Sequence, residues 1–121
     1  MKTLKLNVTR EWFNKIASGE KKEEYRELNQ YYLARFARCY KAGFSPCKFA
    51  QCAHGLDSCE SNLRDDYTEV EFINGYRRDA RRIIVEFKGI SVGYGNREWG
   101  APDRPVFIIK LGELKSKVFE L

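Results

Sequence analysis

The chain has 121 residues, is 43% hydrophobic and 32% charged, and carries a formal net charge of +5 at pH 7. This length suits one globular domain, and the composition excludes an intrinsically disordered protein. No apolar run approaches the roughly 20 residues that a transmembrane helix needs, so we expect no membrane partner, whereas the positive charge favours a polyanion such as RNA.

The N-terminal residues predict a strand and then a helix. Leu4, Leu6 and Val8 alternate with polar residues, which is typical of a half-buried strand and unlike the apolar stretch of a signal peptide. We therefore expect a cytoplasmic protein with reduced thiols. Thr9 can cap a helix that ends at Gly19. The apolar side chains of this helix share one face: Trp12, Phe13, Ile16 and Ala17.

The segment after this helix, SGEKKEEYRE, is dominated by charged side chains. If it is extended, Lys22, Glu24 and Arg26 share one of its faces. Such a run can be a solvated surface whose ion pairs contribute at most about 1 kcal/mol each. The alternative is the lining of a cleft, in which cations hold a phosphate and a carboxylate accepts hydrogen bonds from a base.

A second helix and a cysteine-rich insertion come next. Tyr32 and Phe36 lie on one face of the helix that we predict from Asn29 to Gly43. Residues 43–66 hold few apolar side chains, which indicates an insertion. The cysteines and the only histidine cluster in or beside it: Cys39, Cys47, Cys52, His54 and Cys59. Their spacing lacks the paired C-x2-C of a standard zinc site, so a structural zinc and a flexible insertion with free thiols both stay open.

The second half of the chain predicts strands. Apolar residues alternate in three stretches, at 69–72, 83–87 and 106–111. An Asn74-Gly75 pair marks a turn between the first two. Four arginines follow this turn closely: Arg77, Arg78, Arg81 and Arg82. A run of this kind either solvates a loop or forms a surface for phosphates.

Five stretches of the chain carry a family resemblance. GEKKEEYR contains the string G-x-K-x-x-E-x-R through Gly19, Lys21, Glu24 and Arg26. The other four are FINGY at 72–76, VEFKGISVG at 85–93, EWGAP at 98–102 and FIIKLGE at 107–113. Together they resemble small ASCH domain proteins of bacteria and phages, a branch of the PUA-like β-barrels associated with RNA.

The ASCH resemblance extends over nearly the whole chain except the insertion. It implies a single α+β domain over residues 1–121, built as a small mixed barrel of about five to six strands with two or three helices. It further implies a partly open cleft, into which the charged segment and a facing strand project.

The same resemblance implies two kinds of activity. Some ASCH proteins are similar to amidohydrolases that use a lysine, a threonine and a glutamate on an acylated cytidine nucleoside, and others are described as ribonucleases. The lysine matches Lys21 and the strand glutamate matches Glu86, but Glu24 stands in place of the threonine. Because a carboxylate is a poor substitute for a hydroxyl nucleophile, this departure argues against the acyl chemistry.

The sequence thus favours an RNA-binding or nucleotide-binding module that needs no cofactor. We expect phosphate or base contacts from Lys21 and Arg26, and base-edge contacts from Glu24 and Asn74. The remaining expected ligand contacts are the stacking ring of Tyr76, the charges of Arg77 and Arg78, and Trp99 as a lid or stacking platform. A first alternative is a hydrolase with the catalytic residues Lys21, Glu24 and Glu86, of which Lys21 and Glu86 form the acid-base pair. A second alternative is a metal-stapled insertion that docks an unknown protein partner.

Overall fold

The computed structural model describes residues 2–36, 63–64 and 66–118. These residues form a mixed sheet of five strands and two α-helices, which confirms the predicted α+β class. No helix in these ranges has the length and apolar character needed to cross a membrane.

The sheet is built from strands of very different length. The five strands are β1 (Lys2–Val8), β2 (Glu23–Arg26), β3 (Tyr67–Asn74), β4 (Arg82–Gly93) and β5 (Val106–Val118). The helices are α1 (Arg10–Ala17), α2 (Gln30–Phe36) and a 3-10 turn at Arg97–Trp99. The strand order is β1-β3-β4-β5-β2, in which β1 pairs with β3 in parallel and β3 pairs with β4 in antiparallel fashion.

The chain divides into two compact units. The first comprises Met1–Glu24, Asp66–Lys88 and Lys110–Leu121, and the second comprises Tyr25–Asp65 and Gly89–Ile109. The prediction of a single domain over residues 1–121 stays a prediction.

The core of the first unit follows from the period-two pattern of its strands. Leu4 pairs with Val70 and Leu6 with Phe72, and all four side chains are buried. Successive side chains point to opposite faces of a strand, and Val8 continues the buried face of β1. The buried residues of α1 complete this layer: Phe13 and Ile16. Each such side chain stabilises the fold by about 1.5–3 kcal/mol, so the predicted strand and helix are both confirmed.

The core of the second unit is aromatic. The rings of Phe36 and Phe107 meet edge to face at 5.2 Å between centroids, and Tyr32 stacks on Phe36 at 5.6 Å. The four consecutive residues 106–109 of β5 are all buried. Since neighbouring residues face opposite sides of a strand, this part of β5 is covered on both faces.

Candidate functional site

The predicted cleft residues Lys21 and Glu24 form a buried ion pair. The Nζ of Lys21 lies 3.0 Å from Oε1 of Glu24, with side-chain exposures of only 2% and 8%. The same Nζ lies 4.2 Å from the centre of the Trp12 ring. A buried charge is tolerated only when it is paired, so each of these residues stabilises the other in the fold. Their predicted role as ligand contacts stays a prediction.

Arg26 belongs to the second unit, where it contacts an aromatic side chain. Its guanidinium donates a hydrogen bond to the Tyr32 hydroxyl at 3.0 Å and lies 5.7 Å from the centre of the same ring. Arg26 is half-buried. These contacts hold the guanidinium against α2.

Glu86 is the predicted partner of Lys21 in acid-base catalysis. Its carboxylate contacts residues of β4 and β5. Its Oε1 lies 3.6 Å from the Lys88 ammonium and accepts a hydrogen bond of 3.4 Å from the backbone N–H of Glu113. The side chain is 38% exposed. These contacts fit the outer face of an antiparallel sheet, and the catalytic pairing with Lys21 stays a prediction.

A pocket lies where α1 and the β3–β4 connection meet. Its volume is about 530 Å³. Helix α1 contributes Arg10 and Asn14, which lie four residues apart and therefore share a face. The β3–β4 connection contributes the rest of the lining: Asn74, Arg77, Asp79, Ala80 and Arg81.

The parallel pairing of β1 with β3 explains why these distant residues meet. Val8, the last residue of β1, is in register with Asn74, the last residue of β3. Parallel strands end at the same edge of a sheet, so the segments that leave them start side by side. Helix α1 begins two residues after Val8, and the β3–β4 connection begins at Gly75.

Three hydrogen bonds fix the base of the β3–β4 connection. The Gly75 N–H donates to the Val8 carbonyl at 2.9 Å, and the Asn7 side-chain amide donates to the Gly75 carbonyl at 2.6 Å. The N–H of Asn74 donates to the carbonyl of Arg81 at 2.9 Å, which closes the loop. Gly75 has a φ of 84°, a left-handed conformation that side chains with a Cβ rarely adopt. The loop is thus held in one conformation at its ends.

The charges in this pocket are exposed, in contrast to the Lys21–Glu24 pair. Arg77 Nε lies 3.4 Å from Asp79 Oδ1, with side-chain exposures of 84% and 71%. Ion pairs as exposed as this one contribute at most about 1 kcal/mol. The Arg77 guanidinium can therefore turn from Asp79 to an anionic ligand at small cost.

Three residues of the predicted turn and arginine run line this pocket, and others lie outside it. The three are Asn74, Arg77 and Arg81. Tyr76, the predicted stacking ring, lies between Asn74 and Arg77 in the chain and is 90% exposed. Arg78 is exposed, but it is not among the residues that line the pocket in the described part of the chain. Arg82 pairs with Glu71 at 2.7 Å in a partly buried contact, so its charge serves the sheet.

Sequence reasoning missed the two pocket residues on α1. Arg10 and Asn14 lie at i and i+4 of a helix whose buried residues are Phe13 and Ile16. This spacing was available as a signal for a polar pair on the exposed face. No local pattern in the sequence indicated that the β3–β4 connection lies beside this helix, because the pairing of β1 with β3 brings the two together.

Trp99, the predicted lid or stacking platform, lies at the end of the 3-10 turn in the second unit. It is half-buried. The turn is capped by Asn96, whose side-chain oxygen accepts the N–H of Glu98 at 2.9 Å. The half-buried position is compatible with both predicted roles.

The predicted metal ligands all lie outside the described residues: Cys39, Cys47, Cys52, His54 and Cys59. Elsewhere, within 2–36, 63–64 and 66–118, no group of three or more His, Cys, Asp or Glu side chains is arranged to hold a metal ion. The structural zinc stays a prediction.

Comparison with known proteins gives no family for this chain. No family model, no curated protein and no solved structure matches it. The ASCH resemblance therefore depends on the sequence stretches quoted above.

Proposed function

We propose that this chain is an RNA-binding module of the PUA-like ASCH type, and that the pocket between α1 and the β3–β4 connection holds the RNA backbone. One observation carries the proposal, namely that Arg10, Arg77 and Arg81 line a single pocket. Guanidinium groups bind phosphate oxygens through paired hydrogen bonds, and a basic surface draws polyanions from solution.

The fold and the position of the charged segment support the family part of the proposal. A mixed five-stranded sheet with two helices is compatible with a PUA-like barrel. The GEKKEEYR stretch follows directly after α1, as it does in the ASCH pattern. In our proposal, the Lys21–Glu24 pair in this stretch stabilises the fold, and the residues of the pocket contact the ligand.

Base contacts complete the proposed interface. The Asn14 and Asn74 side chains line the pocket and can each donate and accept hydrogen bonds at a base edge. The exposed Tyr76 ring offers a stacking surface, which contributes about 1–3 kcal/mol per base and tolerates different sequences. Weak sequence preference is therefore expected.

The proposal is tested by measuring the affinity of a fluorescent single-stranded RNA for wild type and two single-arginine variants. Arg77→Ala should weaken binding by about tenfold, because hydrogen bonds to charged groups contribute about 1.5–3 kcal/mol. Arg78→Ala is the matched control: it removes the same charge from the same loop but no pocket-lining side chain. Its effect should be clearly smaller.

Salt dependence gives a second readout. Binding should weaken as salt rises, with a slope of about 0.7 per phosphate contact for a single strand. Arg77→Ala should reduce that slope, because one phosphate contact is lost. If wild-type protein binds no RNA at low salt, the proposal is wrong. If Arg77→Ala and Arg78→Ala lose equal affinity, RNA is bound by the overall positive charge of the loop and not by the pocket.

A further inference from the structure

Asn74 and Gly75 form the only Asn-Gly pair in the chain, and Asn74 lines the pocket. In a flexible chain such a pair deamidates readily, because glycine has no Cβ to hinder its own nitrogen. The Gly75 nitrogen forms a bond to Cγ of Asn74 and loses its proton, and the Cγ–Nδ2 bond breaks with release of ammonia. Water then opens the resulting five-membered imide and leaves aspartate or isoaspartate at position 74.

In the folded chain, hydrogen bonds hold the attacking residue, Gly75. Its N–H donates to the Val8 carbonyl at 2.9 Å, and its carbonyl accepts a hydrogen bond from the Asn7 side-chain amide at 2.6 Å. The Gly75 nitrogen must leave Val8 before it can attack the Asn74 side chain. Turning the Asn74–Gly75 peptide toward that side chain displaces Gly75 and breaks both bonds.

The backbone of Asn74 is also held in a conformation that opposes ring closure. Asn74 is the last residue of β3, is in register with Val8, and donates its N–H to the Arg81 carbonyl at 2.9 Å. The imide closes only when Cβ of Asn74 and the nitrogen of Gly75 eclipse each other about the Cα–C bond. This requires a ψ outside the extended range of a strand. The end of β3 must therefore detach before the reaction can proceed.

We propose that Asn74 is a deamidation site that the folded β3–β4 connection protects, and that local opening of this connection allows the reaction and thereby weakens the RNA pocket. A segment at the end of a sheet can open without global unfolding. The effect on the pocket rests on the proposed function. Deamidation places a carboxylate in a pocket that Arg77 and Arg81 also line, and this negative charge repels a phosphate.

The protection is tested by following deamidation of Asn74 in the full chain, by peptide mapping and mass spectrometry at mildly alkaline pH. The rate in the folded protein should be at least about tenfold lower than in the same chain unfolded in urea, because several hydrogen bonds must break first. Equal rates in the folded and unfolded chain would overturn the protection and leave the RNA-binding proposal untouched.

The part played by the connection is tested with Asn7→Ala, which removes the hydrogen bond to the Gly75 carbonyl. This variant should deamidate about two- to tenfold faster in the folded state, the factor that corresponds to one hydrogen bond. Thr3→Ala is the matched control, because it removes a side-chain hydrogen bond of 3.0 Å, to Glu69, from the opposite end of β1. Its rate should equal that of wild type. Equal acceleration in both variants would show that overall stability controls the reaction, and the proposal would be wrong.

The effect on the pocket is tested by comparing the RNA affinities of Asn74→Asp and Asn74→Ala. Both variants lack the asparagine amide, so their difference reports the added charge. Asn74→Asp should bind the fluorescent RNA up to about fivefold more weakly than Asn74→Ala, and the difference should shrink at high salt. Equal affinities would overturn the effect of deamidation on the pocket. If wild-type protein binds no RNA, that effect and the proposed function are both wrong, while mass spectrometry still decides whether the connection protects Asn74.

Discussion

Two charged regions of the first compact unit differ in how their charges are compensated. Lys21 and Glu24 are almost completely buried and lie 3.0 Å apart, whereas Arg77 and Asp79 lie 3.4 Å apart on the open surface. Both regions are charged runs in the sequence. The difference is that the Lys21–Glu24 pair is shielded from water, whereas water competes for the charges of the Arg77–Asp79 pair.

This contrast separates a charge that stabilises the fold from a charge that can bind a ligand. Removing Lys21 leaves the buried Glu24 carboxylate without its ammonium partner, which is costly. Removing Asp79 from Arg77 leaves a guanidinium in water, which costs little. A ligand phosphate can therefore displace Asp79 far more easily than it can displace Glu24.

The largest expected effect is on stability, in the variant Lys21→Met. It should lower the free energy of unfolding by about 3–5 kcal/mol, because Glu24 stays buried without its ammonium partner. Urea denaturation measures the loss. Lys15→Met is a matched control, since Lys15 also lies over Trp12 and pairs with a glutamate, Glu20, but is more exposed. The control should lose less than about 1 kcal/mol.

The double variant Lys21→Met/Glu24→Leu sharpens the same comparison. Replacing both charges with apolar groups should restore most of the lost stability, because neither charge of the pair is then buried without the other. If this variant folds and binds RNA like wild type, the pair has a structural role. Loss of RNA binding in a stable double variant would instead show that Lys21 or Glu24 contacts the ligand and that the pair is not purely structural.

The two regions also show which structural features can be predicted from the sequence and which cannot. The alternation of Leu4, Leu6 and Val8 predicted β1, and the spacing of Phe13 and Ile16 predicted the buried face of α1, because local periodicity reflects burial. Charge runs carry no such periodic signal, so the burial of the Lys21–Glu24 pair could not be distinguished from an exposed run. That required the tertiary structure.

The pocket was predicted only in part for a related reason. Asn74 was identified from the turn, and Arg77 and Arg81 from the arginine run, which are local features. Arg10 and Asn14 join them because β1 and β3 run in parallel and end together at Val8 and Asn74. Pairing between strands so far apart in the chain is a long-range property, and the sequence offered no local pattern that specifies it.

A smaller effect on stability is expected at two glycines. Gly75 and Gly19 both have a φ of 84°, and a Cβ at either would meet no other atom within 4 Å. Alanine at each position should therefore cost only the backbone strain, about 1–2 kcal/mol, in thermal or urea unfolding. The two variants should be similarly destabilised.

RNA affinity should separate these two glycine variants. Gly75 begins the connection that carries Arg77 and Arg81, so Gly75→Ala should shift the pocket and weaken RNA binding. Gly19→Ala changes the end of α1 farthest from Arg10 and should bind RNA like wild type. An equal loss of affinity in both variants would show that general destabilisation, rather than the loop conformation, controls binding.

The smallest expected effect is a gain of affinity in Asp79→Asn. The carboxylate lies 3.4 Å from Arg77. If Arg77 binds a phosphate as proposed, Asp79 competes with that phosphate for the guanidinium. Removing the carboxylate should strengthen RNA binding by up to about fivefold, the factor that corresponds to about 1 kcal/mol for an exposed ion pair, with little change in stability. Asp103→Asn is the control, because Asp103 is similarly exposed and pairs with Arg97 at 2.8 Å, outside the pocket. The gain should exceed that of the control and shrink at high salt, because exposed charges are screened. Weaker binding by Asp79→Asn would mean that the carboxylate accepts hydrogen bonds from the ligand, so that Asp79 contacts the ligand and does not compete with it.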